Sequence, residues 1–161
     1  VRRLVLVAFV LLAAAPAAWA TAPVLRVTQT SIAGAKLAQS QASYRTAFGG
    51  RPTVSRLEGG RTRLDYPRSA SVFLRSGRAI GIVVWGEQYR TAARVGPCAT
   101  KAQLQRAYGA KLAPFRVAGK VVGYRLGRLF FEVKDARTVG AVQLSTSTLP
   151  PYAALNSLRC A

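Results

Sequence analysis

The side chains that could do chemistry are few. Among 161 residues there are 5 Asp+Glu, 2 Cys and no His. Without imidazole the chain lacks the usual acid–base group for neutral pH, and it lacks any zinc site that uses histidine. The carboxylates are Glu58, Asp65, Glu87, Glu132 and Asp135. Strand alternation could place Asp65 and Glu132 on one sheet face as an acid–base pair. The 24 Lys+Arg would then hold both ionised and ion-paired, which is the wrong state for a general acid. Ser and Lys are present, yet no Ser-x-x-Lys spacing occurs for Ser–Lys catalysis. Cys98 and Cys160 have no histidine to activate them, and they read as one structural disulfide. The sequence therefore assigns no catalytic residue, no metal site and no cofactor, and the chain reads as a non-enzyme.

What remains suits binding. If Leu64, Tyr66, Val72, Leu74, Ile80 and Ile82 form the buried side of a sheet, the alternate residues Arg63, Phe73, Arg75, Val83 and Trp85 point the other way. Arg125, Phe130, Glu132 and Val142 are the matching set later in the chain. Rings interleaved with guanidinium groups are what protein–protein hot spots use, because rings supply area and arginine supplies hydrogen bonds. Arg63, Phe73, Arg75, Trp85, Arg125 and Phe130 are thus the expected partner-binding residues.

Two short helices and eight strands must position them. Ser40 to Gly49 and Thr100 to Gly109 are related by an offset of 60. Each opens on a hydroxyl residue suited to an N-cap and closes on a glycine suited to a left-handed C-terminal position. Thr100 and Gln103 have the spacing of a capping box. Tyr44, Ala47 and Phe48 form a helical stripe, repeated by Leu104, Ala107 and Tyr108. Helices this short are unstable alone and must pack on something. After the first come strands at Thr53–Leu57, Arg61–Tyr66, Ala70–Arg75 and Ala79–Trp85. After the second come Phe115–Val117, Val121–Leu126, Leu129–Val133 and Thr138–Leu144. Short turns between strands predict antiparallel meanders. The expected fold is α+β, two tandem helix-plus-four-stranded antiparallel sheet repeats with the helices packed on one sheet face.

The N-terminus reads as an export signal. Arg2 and Arg3 precede an apolar run from Leu4 to Ala15, and Ala18-Trp19-Ala20 offers a signal-peptidase site. The run is too short for an ordinary membrane span, so no transmembrane segment is expected after cleavage. The expected organisation is a signal peptide at 1–20, a lead-in at 21–31 and repeat 1 at 32–86. A connector at 87–94, repeat 2 at 95–145 and a tail at 146–161 tied back by a disulfide complete it. Cleavage leaves 22 basic and 5 acidic side chains, a net charge of +17. The expected location is secreted or in the cell envelope, the periplasm where the host has an outer membrane. Such a compartment permits the disulfide.

An exported chain with this repeat resembles the β-lactamase inhibitor protein family and the related SmpA/OmlA outer-membrane assembly lipoproteins. The carrying residues are Ile32-Ala33-Gly34-Ala35-Lys36-Leu37, the helix ends Phe48-Gly49 and Tyr108-Gly109, and Gly77-Arg78-Ala79-Ile80-Gly81-Ile82. The likeness covers about residues 30–145, in architecture more than identity. It departs in having one cysteine pair instead of a disulfide in each repeat, in lacking the lipoprotein cysteine, and in its stronger basic charge. The resemblance implies a binding module that grips or scaffolds another protein, without catalysis. The expected partner is a secreted or envelope protein, which the chain inhibits or scaffolds. The alternative is an anionic wall polymer or lipid held by charge. The basic residues are spread along the chain rather than clustered, so nucleic acid is not expected.

Overall fold

A computed structural model describes residues 23–134, 138–146 and 160. The export signal at 1–20 and most of the 146–161 tail lie outside the described residues. The described residues open with three short strands, β1 (Leu25–Arg26), β2 (Ser31–Ile32) and β3 (Ala35–Lys36), then helix α1 (Gln41–Phe48). Strands β4 (Thr53–Leu57), β5 (Arg61–Tyr66), β6 (Ala70–Arg75) and β7 (Arg78–Val84) follow. The short β8 (Tyr89–Arg90) precedes helix α2 (Lys101–Tyr108). The last described strands are β9 (Ala113–Val117), β10 (Lys120–Leu126), β11 (Leu129–Lys134) and β12 (Thr138–Ser145).

Eight of these strands make one antiparallel sheet in the order β4-β5-β6-β7-β12-β11-β10-β9. The joint is β7 against β12, with Val84 opposite Val142 and Ile82 opposite Leu144. This corrects the α+β expectation of two helix-plus-four-strand repeats with helices packed on one sheet face. The protein is mostly β, with 49% strand and two helices among the described residues. The physical reason is size. Each helix has eight residues and is about 12 Å long. Eight strands span about 34 Å across. Two such helices supply anchoring side chains, and cannot form a layer over that sheet.

Those anchors are Tyr44, Phe48 and Leu104, all fully buried. The Phe48 ring lies 5.7 Å from that of Tyr66 and 6.4 Å from that of Tyr89. They share the main core with Leu64, Val72, Ile82, Val84, Phe131, Val142 and Leu144. We call this side of the sheet inner. The local signals at the helix ends are realised unevenly. Thr100 and Gln103 form both hydrogen bonds of a capping box, whereas the Ser40 side chain makes no cap bond.

The lead-in and the connector bind each other. β1 pairs in parallel with β8, Leu25 opposite Tyr89 and Arg26 opposite Arg90, and Val27 is buried in the core. Cys98 and Cys160 are disulfide-bonded, with Cα atoms 5.4 Å apart. At the other end of β12, Thr146 donates its N–H to the Ile80 carbonyl at 3.1 Å.

Candidate functional site

The sheet face opposite the main core, here called outer, carries the expected binding residues. Antiparallel pairing sets them in rows across the strands. One row is Leu57, Arg61, Arg75 and Arg78 on β4 to β7. The next holds Ser55, Arg63, Phe73 and Gly81. A third runs Thr53, Asp65, Ser71, Val83, Gln143, Phe130 and Arg125. All six expected residues, Arg63, Phe73, Arg75, Trp85, Arg125 and Phe130, thus sit on β-strands or strand ends of one sheet. They do not form one patch. Arg63 and Arg125 lie on strands five spacings apart, about 24 Å.

Two positions depart from simple alternation. Between Phe73 and Leu74 the β6–β7 register shifts, because Phe73 faces Gly81 while Leu74 faces Ala79. The extra residue is Ile80. It packs against the outer cluster of Phe73, Val83 and Ala141, as Leu57 and Trp85 also do, not in the inner set where alternation puts it. Val142 makes the reverse correction. It pairs with Val84 and Phe131 in the main core, and Gln143 takes the place opposite Val83.

Burial divides the set by residue type. Phe73 is 1% exposed and Phe130 is 3% exposed, so neither ring is a free contact surface. Trp85 is half-buried. The Phe130 ring meets Phe115 edge-on at 5.7 Å, and the Arg125 guanidinium stands 5.2 Å from the Phe115 centroid. Phe115 was not among the expected residues. Its signal is its place opposite Gly123, a glycine that leaves room for the Phe130 ring.

The exposed part of the face is cationic. Arg63 donates from Nε to Asp65 Oδ2 at 2.8 Å, and Ser71 donates from Oγ to the other oxygen of that carboxylate. Arg61 donates to the Glu58 carbonyl at 3.0 Å. Arg75 and Arg78 are exposed, and none of Arg61, Arg75 and Arg78 has a carboxylate partner among the described residues. Sequence reading singled out Arg75 but not its two neighbours. The signal was the Ser76-Gly77 turn. Both residues have positive φ, 49° and 74°, which makes a two-residue hairpin and forces Arg75 opposite Arg78.

Asp65 and Glu132 do not assemble. Asp65 is committed to Arg63 and Ser71, and Glu132 lies four strands away, about 19 Å. That separation is too wide for two carboxyl groups to flank one bond. Among the described residues no three His, Cys, Asp or Glu side chains gather as metal ligands do. Burial disturbs the titration of three phenols in the core. Burial raises Tyr44 and Tyr66 above the usual tyrosine value and pushes Tyr89 up to about 12. Tyr44 and Tyr89 are already engaged, donating to the Lys36 and Arg68 carbonyls at 2.8 and 2.6 Å. No described helix is long and apolar enough to cross a membrane. No protein family, curated protein or solved structure matches the chain.

Proposed function

We propose that the chain is an exported, non-enzymatic binding module that holds an acidic protein of the envelope or exterior against its outer sheet face. The reading keeps the class of activity that the family resemblance implies, gripping without catalysis. The observation that carries it is the row Arg61, Arg75 and Arg78, three guanidinium groups opposed in register with no carboxylate beside them among the described residues. Like charges placed directly opposite one another weaken a sheet. An acidic surface docked on them reverses the sign of that interaction and gains bidentate hydrogen bonds. The Arg63–Asp65 pair beside this row supplies polar surroundings, and half-buried Trp85 lies on the same face beyond the far end of β7. The buried rings of Phe73 and Phe130 hold the face rigid beneath the partner and do not touch it.

The second reading is an anionic wall polymer or lipid. It is favoured by the net charge of +19 spread over the whole chain. The two readings separate in a capture experiment on envelope extract and culture supernatant, washed at low and then high salt. A stoichiometric protein that survives high salt, and is lost from the Arg75→Glu/Arg78→Glu variant, supports the proposal. Polymer or lipid alone, lost steeply with salt, replaces it with the second reading. A retained protein that ignores the double variant overturns the placement on this face.

A further inference from the structure

The eight-stranded sheet is open, and its two edges are built differently. β9 is blunted. Its second residue, Pro114, has no N–H to offer, and its pairing with β10 shifts register between Val121 and Gly123. Proline and a bulge are the devices by which edge strands refuse further pairing. β4 has neither. It pairs with β5 without a shift from Thr53 opposite Asp65 to Leu57 opposite Arg61. No described strand lies on its other side. Thr53, Val54 and Arg56 are exposed, Val54 by 58%. In an antiparallel strand alternate residues turn their N–H and C=O away from the paired neighbour. β4 therefore presents two or three outward backbone pairs beside an exposed valine.

We propose that β4 is a strand-addition site for an extended, acidic segment of a partner protein. The inference rests on the protein-binding reading above and names the mode of docking. Backbone hydrogen bonds to an added strand give affinity, and alternate side chains give selectivity. Selectivity here is for negative charge. Arg51 precedes the edge, and Arg61, opposite Leu57 on the outer side, faces it from β5, backed by Arg75 and Arg78 in the same row; Arg56 lies on the edge itself but on the inner side, with Val54. Glu58 is the acidic residue nearest in sequence, in the turn that ends the strand. A second copy of this chain does not suit the edge. Each exported copy carries a net +17, and an antiparallel β4–β4 contact brings the two Arg56 side chains within diagonal reach. A segment with Glu or Asp at alternate positions and β-branched residues between them suits both the backbone and the charge.

The test uses the purified, oxidised protein with 15N label. The probe is a pool of synthetic eight-residue peptides with Glu or Asp at alternate positions and Val, Ile, Thr or Phe between. The tightest member is expected to slow amide exchange at outward-facing positions of Thr53–Leu57. N-methylation of that peptide at alternate residues, with its charge unchanged, should weaken binding about tenfold or more for one of the two registers. The protein itself is untouched by that control, so misfolding cannot mimic it. If no peptide binds, or if the N-methylated forms bind equally while shifts spread over the arginines, strand addition is wrong. A captured protein that depends on Arg75 and Arg78 without protecting β4 sinks the edge proposal alone. Loss of acidic binding of every kind sinks both.

Discussion

Arg75 and Arg78 stand directly opposite each other across the Ser76-Gly77 turn, and Arg61 stands opposite Arg75 on its other side. Neither opposition is relieved by a carboxylate among the described residues. A residue kept for fold stability would not be arginine at the middle of such a row. Arg75→Glu converts two repulsions into two attractions. We expect it to stabilise the isolated protein by about 0.2–1 kcal/mol per opposed pair, read from the urea midpoint, and to weaken capture of the acidic partner. Opposite signs in the two assays mark a binding role. A variant less stable and equally competent would show that Arg75 serves the fold.

The same region shows what was legible in the sequence. Helix ends are legible because their chemistry is local. Thr100 and Gln103 find each other three residues apart, and the structure forms both bonds. Turns are legible for the same reason, as at Ser76-Gly77. Strand faces are legible only while alternation holds. The extra residue between Phe73 and Leu74 moves Ile80 to the outer side, and no residue type there announces a bulge. Assembly is less legible still. The β7–β12 joint pairs residues far apart in sequence, and nothing local says that eight strands share one sheet. Alternation also gives the face of Phe73 and Phe130 but not their burial.

Gly123 lies under the Phe130 ring. A Cβ there would come within 2.6 Å of the ring edge and 2.5 Å of the Phe131 carbonyl oxygen. Both Phe130 and the backbone of β11 would have to move. Gly123→Ala is therefore expected to cost about 1–3 kcal/mol, as overpacking does. It should also disturb Arg125, which reaches Phe130 through Phe115. Chemical unfolding measures the first effect, and the aromatic proton shifts of Phe115 report the second. An unchanged unfolding midpoint would mean that β11 yields at no cost.

The Cys98–Cys160 bond joins residues 62 apart. By the chain-entropy argument, closing a loop of that size contributes about 4 kcal/mol. With a denaturant slope of roughly 2 kcal/mol per molar urea, reduction or Cys98→Ala should lower the midpoint by about 2 M. Cys160→Ala should match Cys98→Ala, because each removes the same crosslink. A double variant no worse than either single one completes the check. Additive losses would show that the two sulfurs also act separately.

Tyr89 gives the pH dependence. Its ring is fully buried against Phe48, its hydroxyl donates to the Arg68 carbonyl, and burial pushes its pKa to about 12, from about 10 when exposed. The folded protein therefore binds the phenolic proton more tightly than the unfolded chain. Stability from this group is complete below pH 10 and falls as pH rises from about 10 to about 12. Tyr44 and Tyr66, also raised by burial, act in the same direction. Tyr89→Phe should flatten that alkaline slope. It should also lower stability at pH 7 by about 1 kcal/mol, since the Arg68 carbonyl loses the shorter of its two side-chain hydrogen bonds and keeps the one from Gln88 Nε2 at 3.2 Å. The two effects have opposite sense, so midpoints at pH 7 and pH 11 separate them. A slope unchanged in the variant would place the alkaline loss on Tyr44 and Tyr66.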